Sequence, residues 1–355
     1  MKIALFQYPE YKIPTVGYGP KQNIIEMLAK GFDKLGHEVT TFATADSVLP
    51  GKIVKICETG INEGLNKDPE IQADVDRVYR SIAIGEIIKR SGDFDVIHNH
   101  AGFTLLPIVE VLKSPVFHTL HGTYTSEHYR KIFDIYAKAG RYIPISKAQM
   151  QALPELSYTD VVYHGINIDD FKFNDKPRDQ LVFLGRIARV KGVHTAIEIA
   201  KKANKKLIIA GPVDVARPGG KKYFEEKVKP FVDGDQIQYI GEVDLEEKRK
   251  LLAESSALIF PIEWVEAFGL VMIESLACGT PVIAYNIGAP AEVIEKGKTG
   301  FVCESGDIDG MVESVSKIDS IKRKDCRQSA EERFSKEIMV DNYIKLFEKE
   351  LADGR

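Results

Sequence analysis

Two glutamates stand eight positions apart in the segment VEAFGLVMIE, residues 265–274. Glu266 and Glu274 flank an apolar run that contains one glycine. A carboxylate is a bidentate acceptor suited to sugar or ribose hydroxyls, so both are candidate hydroxyl-binding groups. Two structural interpretations stay open: a glutamate near a helix start stabilises the helix, and Glu274 pairs with a lysine.

The run between the glutamates is predicted to open a helix. The preceding ALIFPIE reads as a strand that ends near Pro261, so Glu266 falls in a loop. The first turn of the following helix, AFGLVMIESLACG, contains Phe268, Gly269 and Leu270. Because the N–H groups of a first helical turn have no partner within the helix, they attract anions. The segment predicts an anion site beside two carboxylates.

Two cations follow another predicted strand. In LVFLGRIARVKG, residues 181–192, the strand breaks at Gly185, Arg186 comes next, and Lys191 precedes a helix. Two cations on a loop that opens a helix are suited to holding a diphosphate. Solvated loop charges are an equally good interpretation of the same residues.

Histidines cluster at two further strand ends. PVFHTLHG supplies His118 and His121, and DVIHNH supplies His98 and His100. A histidine beside a glycine turn can exchange a hydrogen bond with a ligand, although a structural histidine is the alternative. The four histidines have no matching carboxylate pattern, so no metal site is predicted.

The glycines near the N-terminus match neither common nucleotide-binding motif. No GxGxxG follows the first strand and no GxxxxGK[ST] occurs in the chain, which disfavours a dinucleotide oxidoreductase and a P-loop enzyme. Gly17 and Gly19, in VGYGPKQ, instead allow the backbone to approach a ligand closely. Ordinary turn formation is the alternative.

Alternating strands and helices must position these residues. KIALF, EVTTFAT, DVIHNH and PVFHTLHG are strands of a first series, with KQNIIEMLAKGFDKLG and LLPIVEVLK as helices. LVFLGRI, KLIIAGP, QIQYIGEV, ALIFPIE and PVIAYN are strands of a second series. Nearly all-apolar strands in such alternation predict α/β architecture with two doubly wound parallel sheets. Their ligands bind at the carboxyl ends of the strands.

The two series predict two domains, residues 1–170 and 171–335. The polar segment 171–180 is the predicted linker. The helical segment 336–355 follows the second series, and it either caps the second domain or crosses back to the first.

Composition narrows the class of protein. The 355 residues are 44% hydrophobic and 28% charged, with a formal net charge of -4, which argues against nucleic acid as a partner. MKIALFQYPE lacks the features of a signal peptide, and no stretch approaches the roughly 18 apolar residues of a membrane span. The cysteines form no CxxC pair, so a reducing cytoplasm is expected. They are Cys57, Cys278, Cys303 and Cys326.

Together these segments resemble the retaining glycosyltransferases of the GT-B fold, within family 4 (glycosyl transferases group 1). The matching segments are EAFGLVMIE, GRIARVKG, IIAGP, ACGTPVIAYNIGAPAEVIEKGKTGFV and GHEVTTFATADS. The resemblance implies two facing Rossmann-like domains with a cleft between them. Residues 1–170 would bind the acceptor and residues 171–335 the nucleotide sugar.

The resemblance also implies a role for each matching residue. Arg186 and Lys191 would hold the donor diphosphate, Glu266 a hydroxyl of the transferred sugar, and Glu274 the ribose. His121 would touch the sugar near the reaction centre, which makes His121, Glu266, Arg186 and Lys191 the implied catalytic group. The implied donor contacts are Gly19, Arg186, Lys191, Gly211, Val243, Glu266, Phe268, Gly269, Leu270 and Glu274, with Val243 lining the base pocket.

The implied reaction moves a sugar from a UDP or GDP donor to an acceptor hydroxyl with retention of configuration, and it needs neither a metal nor a cofactor. Two segments depart from the family pattern. Gly19-Pro20-Lys21-Gln22 replaces paired glycines followed by a glutamate, and Ile287 replaces the first glycine of a GG-x-x-E motif. Proline has no N–H, so one backbone donor is lost.

Two other functions remain as alternatives. One is a sugar-nucleotide epimerase of the same fold, and the other is a protein that binds a nucleotide sugar without turnover. The residues do not identify the acceptor, and a sugar, a glycan or a lipid-linked molecule is expected. Residues 124–141 alternate aromatic and basic side chains, which fits a peripheral membrane contact, although packing of a helix on the first sheet is the favoured explanation.

Overall fold

The computed structural model describes residues 1–15, 17, 19–64 and 69–354. These residues form two compact units. The first unit comprises residues 1–165 together with the C-terminal helix that begins at Lys336, and the second is Ile166–Ser335. The boundary therefore falls at 165/166, a few residues before the position expected from the sequence.

Parallel strands form the centre of each unit. The strands are β1 (Lys2–Phe6), β2 (Glu38–Ala43), β3 (Lys52–Lys55), β4 (Val96–Asn99), β5 (Val116–Thr119), β6 (Arg141–Ile143), β7 (Gln180–Leu184), β8 (Lys206–Ala210), β9 (Ile237–Tyr239), β10 (Ala257–Phe260), β11 (Val282–Tyr285) and β12 (Gly300–Cys303).

Helices connect these strands. The α-helices are α1 (Pro20–Lys34), α2 (Ile61–Gly64), α3 (Pro69–Arg90), α4 (Glu127–Ile135), α5 (Lys147–Ala152), α6 (Val193–Lys202), α7 (Gly220–Lys227), α8 (Leu245–Glu254), α9 (Leu270–Ala277), α10 (Pro290–Val293), α11 (Ile308–Ser316), α12 (Arg323–Phe334) and α13 (Lys336–Ala352). Shorter 3-10 turns are Ser91–Asp93, Leu106–Val111, Ile168–Asp170, Arg189–Lys191, Lys229–Phe231 and Ile318–Ser320.

The two sheets have the same topology. The first has the order β3-β2-β1-β4-β5-β6, the second has β12-β11-β10-β7-β8-β9, and each contains six strands. Every paired neighbour runs parallel. The strand order reverses between β1 and β4 in the first sheet and between β7 and β10 in the second. The predicted α/β architecture with two doubly wound parallel sheets is confirmed.

The C-terminal helix α13 packs on the first unit. Gly31 of α1 lies so close to α13 that a Cβ at position 31 would come within 2.4 Å of a Val340 methyl. Tyr343 and Phe347 of α13 have no exposed surface. The Phe347 ring packs against Phe117 of β5, with 5.0 Å between ring centroids.

The stretch expected to be a linker, residues 171–180, is packed into the second unit. Its Phe171 side chain is buried. The Asn174 N–H donates to the Cys278 carbonyl oxygen at 3.1 Å, and the Arg178 N–H donates to Glu254 at 2.7 Å. These backbone hydrogen bonds attach the stretch to the second unit, so it is not a free linker.

One predicted helix is not an α-helix. LLPIVEVLK was expected to form one, whereas the structure has a 3-10 helix at Leu106–Val111. Pro107 at the start lacks an N–H, and Ile108, Val109 and Val111 are β-branched, which lowers helix propensity. The short 3-10 turn accommodates these residues with fewer hydrogen bonds.

No helix in the part of the chain that the structure describes is both long enough and apolar enough to cross a bilayer.

Candidate functional site

The loops after β7 and β10 contact each other at the carboxyl edge of the second sheet, where the strand order reverses. The Glu263 N–H donates to the Val190 carbonyl oxygen at 2.9 Å. Gly192 has a φ of +71°, and a Cβ there would lie 1.9 Å from the Pro261 carbonyl oxygen. Glycine is required for this approach. Such a reversal point is where open parallel sheets bind ligands.

Lys191 and Glu266 form an ion pair at this edge. The Lys191 Nζ lies 3.0 Å from the Glu266 Oε2, and the two side chains are 21% and 14% exposed. Because the pair is largely removed from water, the attraction between the charges is stronger than on an open surface. The structure thus brings together two residues of the catalytic group that the resemblance implies.

The backbone of Glu266 is fixed by the loop after β11. Its N–H donates to the Ile287 carbonyl oxygen at 3.3 Å, and its own carbonyl oxygen accepts from the Ala289 N–H at 3.0 Å. Gly288 lies between them with a φ of +86°, and a Cβ there would come within 2.3 Å of the Glu266 carbonyl oxygen. Position 288 therefore requires glycine. Ile287 occupies the position of the first glycine in the GG-x-x-E motif of the family.

We expect Gly288→Ala to displace Glu266 and to lower turnover of the donor that the resemblance implies by about 100-fold, because a misplacement of about 1 Å costs that much. Steady-state kinetics measure the effect. Gly297→Ala is the matched control, since Gly297 has a φ of +76° and no atom within 4 Å of an added Cβ. Equal losses in the two variants would show that backbone strain alone is responsible.

Arg186 follows β7 and pairs with a carboxylate that the sequence analysis missed. Its guanidinium Nη1 donates to the Asp214 Oδ2. The Asp214 side chain is 7% exposed, and the Arg217 Nε lies 3.7 Å from the same Oδ2. The sequence could have indicated Asp214, because it is an acidic residue four positions after β8 and lies at the same edge of the sheet as Arg186. Asp214 holds the guanidinium in one orientation.

Glu274 also has a cationic partner. The Lys248 Nζ of α8 lies 2.7 Å from the Glu274 Oε1 of α9, and the side chains are 22% and 13% exposed. The pairing with a lysine that the sequence left open is therefore present. It does not exclude hydroxyl binding, because a carboxylate has further acceptor positions. The sequence did not single out Lys248, because α8 contains several other charged residues.

The helix after Glu266 begins later in the chain than the sequence predicted. Helix α9 begins at Leu270, so Phe268 and Gly269 precede it. Gly269 occupies the N-cap with a φ of +82° and has no side chain to accept a capping hydrogen bond. The Phe268 ring is buried and packs against Phe334 at 6.0 Å between centroids. The helix starts later than predicted because the left-handed backbone at Gly269 is incompatible with a right-handed helical turn.

The remaining predicted donor contacts lie at loops of both units. Gly211 directly follows β8, and its N–H donates to the Gly241 carbonyl oxygen at 2.7 Å. Val243 is partly exposed just before α8. In the first unit, Gly19 is the N-cap of α1 and Pro20 is the first helical residue. Proline is well tolerated there because that N–H has no intrahelical partner.

His121 lies in the first unit, two residues after β5. Its Nε2 is 3.0 Å from the His100 Nδ1, and its Nδ1 is 3.3 Å from the His164 Nε2. Burial lowers the pKa of His121 well below its usual range, and the neighbouring His164, His100 and Lys21 act in the same direction. The ring is therefore neutral at physiological pH.

Within the described ranges, no group of three or more His, Cys, Asp or Glu side chains is arranged to hold a metal ion.

Two family models match the chain. Residues 22–170 match Glycosyltransferase Family 4, and residues 166–333 match Glycosyl transferases group 1. The second match contains the paired charges described above. The chain belongs to the group 1 glycosyltransferases. The resemblance that the sequence motifs carried is thereby confirmed, and so is the assignment as a transferase.

This glycosyltransferase is similar to curated proteins over differing lengths. An uncharacterized glycosyltransferase of Methanocaldococcus jannaschii is 27% identical over 292 residues, 76% of this chain and 79% of that protein. Alignments with two other relatives span 54% and 46% of those proteins, so there the chain spans about half of their length.

Solved structures share the fold of this glycosyltransferase. A sucrose-phosphate synthase from Thermosynechococcus elongatus matches with a TM-score of 0.81 at 18% identity, covering 99% of this chain and all of that one. Anabaena HepE, solved in complex with UDP, matches with a TM-score of 0.74 at 15% identity, covering 98% and 100%. At such identities the comparison shows the GT-B fold alone.

Proposed function

We propose that this glycosyltransferase transfers a sugar from a nucleoside diphosphate sugar to an acceptor hydroxyl, with retention of configuration and without a metal. One observation carries the proposal: cations and carboxylates alternate at the carboxyl edge of the second sheet. The pairs are Arg186 with Asp214, Lys191 with Glu266, and Lys248 with Glu274. A nucleotide sugar needs this combination, because its diphosphate binds cations and its hydroxyls bind carboxylates.

The proposed roles follow from the charges. Arg186 and Lys191 bind the diphosphate and stabilise the negative charge that grows on it as the bond to the sugar breaks. Glu266 accepts a hydrogen bond from a hydroxyl of the transferred sugar. Glu274 accepts from the ribose, while Lys248 holds its carboxylate in place. In the first unit, His121 contacts the sugar.

The proposed reaction requires no side-chain base. The bond between the anomeric carbon and the phosphate oxygen breaks, and the acceptor oxygen bonds to the same face of that carbon. The proton of the acceptor hydroxyl passes to the departing phosphate oxygen. Such a reaction depends on positioning and charge stabilisation, which the paired side chains supply.

The nucleotide of the donor is proposed to be UDP, and GDP is the alternative. The support is the HepE structure, whose bound nucleotide is UDP. Incubating the protein with UDP- and GDP-sugars, an acceptor panel and EDTA tests the function. Release of the nucleoside diphosphate with an α-linked product from an α-linked donor is expected. A donor returned with altered sugar configuration would indicate an epimerase instead.

We expect UDP to raise the midpoint of thermal unfolding, and to do so equally with EDTA present. At 100 times its dissociation constant a ligand stabilises the native state by about 2.7 kcal/mol. Differential scanning fluorimetry with UDP, GDP and ADP measures the order of preference. A shift that disappears in EDTA would contradict the metal-free proposal, and an equal shift with all three nucleotides would contradict base selectivity.

The acceptor is proposed to be a sugar, a glycan or a lipid-linked molecule in the cytoplasm. On α4, Tyr129 and Ile135 are exposed, which would suit a peripheral membrane contact. Phe133 of the same helix is fully buried, and its ring lies 5.5 Å from that of Tyr124. Packing thus accounts for the buried aromatic residues, and the exposed Tyr129 and Ile135 support the proposed membrane contact.

A further inference from the structure

Two guanidinium groups contact one carboxylate oxygen at the carboxyl edge of the second sheet. The Arg186 Nη1 donates to the Asp214 Oδ2, and the Arg217 Nε lies 3.7 Å from the same oxygen atom. Because both groups contact one atom, Arg186 and Arg217 are neighbours, and an anion bound by the first lies close to the second. The sequence motifs give no role to Arg217.

The loop that carries Arg217 is attached to the loop after β7. The Ile187 N–H donates to the Pro212 carbonyl oxygen at 2.8 Å, and the Asp214 N–H donates to the Ile187 carbonyl oxygen at 3.3 Å. Beyond Asp214 the chain turns tightly. The Gly220 N–H donates to the Arg217 carbonyl oxygen at 3.2 Å, and a Cβ at position 220 would lie 1.8 Å from the Asp214 carbonyl oxygen. The backbone of Arg217 is therefore held at this edge of the sheet.

The charges proposed to bind the diphosphate cancel when Arg217 is left out. Arg186 is paired with Asp214. Lys191 is likewise paired with Glu266, so the two cations and the two carboxylates sum to zero. Arg217 adds one positive charge and shares a carboxylate that already has a partner. Since an anion is attracted by the net charge around it, Arg217 makes this group of side chains attractive to a diphosphate.

Arg189, another cation of the loop after β7, has a different carboxylate near it. Burial is the main cause of the shifted pKa values of His194 and Tyr223, and two charges act on them in opposite directions. Glu263 raises both pKa values, and Arg189 lowers both. The Glu263 carboxylate therefore offsets the charge of Arg189, whereas Arg217 has no carboxylate of its own among the ion pairs of the described residues.

The Arg217 side chain is also available to a ligand, because it is 60% exposed. Its guanidinium donates no hydrogen bond to any residue in the described part of the chain, since the 3.7 Å to Asp214 exceeds hydrogen-bond distance. A guanidinium has five N–H donors in a planar fork, which matches the geometry of phosphate oxygens.

We propose that Arg217 is a third cation of the diphosphate site, which binds the donor diphosphate beside Arg186 and supplies the positive charge that the two ion pairs lack. The inference rests on the proposed function, which places a diphosphate at Arg186 and Lys191. Arg217 binds the phosphate oxygens through charge-assisted hydrogen bonds, the strong class of hydrogen bond. Its contribution is therefore to the affinity for the diphosphate.

Pyrophosphate is a probe of this site that needs neither the base nor the sugar. In isothermal titration calorimetry of the full-length protein, Arg217→Met should raise the Kd of pyrophosphate about 10-fold, the effect of losing one charge-assisted hydrogen bond. Arg217→Lys keeps the charge without the fork and should recover part of the affinity. Lys222→Met is the matched control and should leave the Kd unchanged, because Lys222 of α7 is an exposed cation that pairs with Glu226.

Ionic strength separates a charge contact from a structural effect. Salt screens an exposed charge, so the ratio of the Kd of Arg217→Met to that of the wild type should shrink as salt is added, whereas a distorted site would lose affinity at every salt concentration. Equal Kd values for wild type and Arg217→Met, equal losses in Arg217→Met and Lys222→Met, or a wild type that binds no pyrophosphate would overturn the inference. Absence of sugar transfer from every nucleotide sugar, with the pyrophosphate result as expected, would contradict the proposed function alone.

Discussion

Replacing Lys191 by methionine is expected to lower kcat/KM for the nucleotide sugar by about 100- to 1000-fold, the usual effect of removing one charge stabiliser from a transition state. Glu266→Gln should lower it as well, because an amide is a weaker acceptor for a sugar hydroxyl than a carboxylate. Initial rates of nucleoside diphosphate release measure both. The matched control is Lys202→Met, which removes an exposed lysine that also forms ion pairs, and whose rate should not change.

The double variant separates catalysis from stability. Each single variant leaves one partially buried charge without its partner, which costs roughly 1–3 kcal/mol of folding stability. Lys191→Met with Glu266→Gln removes both charges, so the free energy of unfolding should recover toward that of the wild type. Turnover should stay low. Recovery of turnover together with stability would mean that the pair is structural and that the diphosphate binds elsewhere.

The architecture could be predicted because each strand is nearly all apolar. Segments such as KIALF and KLIIAGP correspond to β1 and β8, and burial of both faces of a parallel sheet leaves this signal in the sequence. The failure at Leu106–Val111 has a local cause, since a proline and β-branched residues tighten the turn without changing the apolar pattern. Helix type depends on hydrogen bonds that periodicity does not show.

The site could be predicted only in part. Glu266 and Lys191 lie 75 positions apart, and their motifs predicted that both lie at strand ends, but not that they pair. Asp214 and Lys248 were missed because their side chains contact the motif residues only after the chain has folded. Likewise the His98 and His100 contacts require β4 and β5 to be neighbours. Partner choice is a tertiary property, and it does not appear in spacing along one segment.

Acid is expected to unfold the first unit well above the pKa values of its carboxylates. An unfolded histidine titrates near 6.5, whereas burial lowers the pKa of His118 to about 4 and that of His164 to about 3. Below pH 6.5 the unfolded chain therefore binds protons that the native state does not, so stability is present at neutral pH and falls as the pH decreases. Each of these two residues contributes a slope of about 1.4 kcal/mol per pH unit between pH 6 and 5. His98, His100 and His121 act in the same direction.

Urea unfolding followed by circular dichroism at pH 7.5, 6 and 5 measures this slope. His118→Asn should reduce it by about 1.4 kcal/mol per pH unit. The asparagine oxygen can accept from Asn99, which donates to the His118 Nδ1 at 2.8 Å, so the variant loses the titrating group and keeps the contact. His128→Gln changes an exposed histidine and should leave the slope as it is. An unaltered slope in His118→Asn would mean that this ring becomes protonated in the native state as readily as in the unfolded chain.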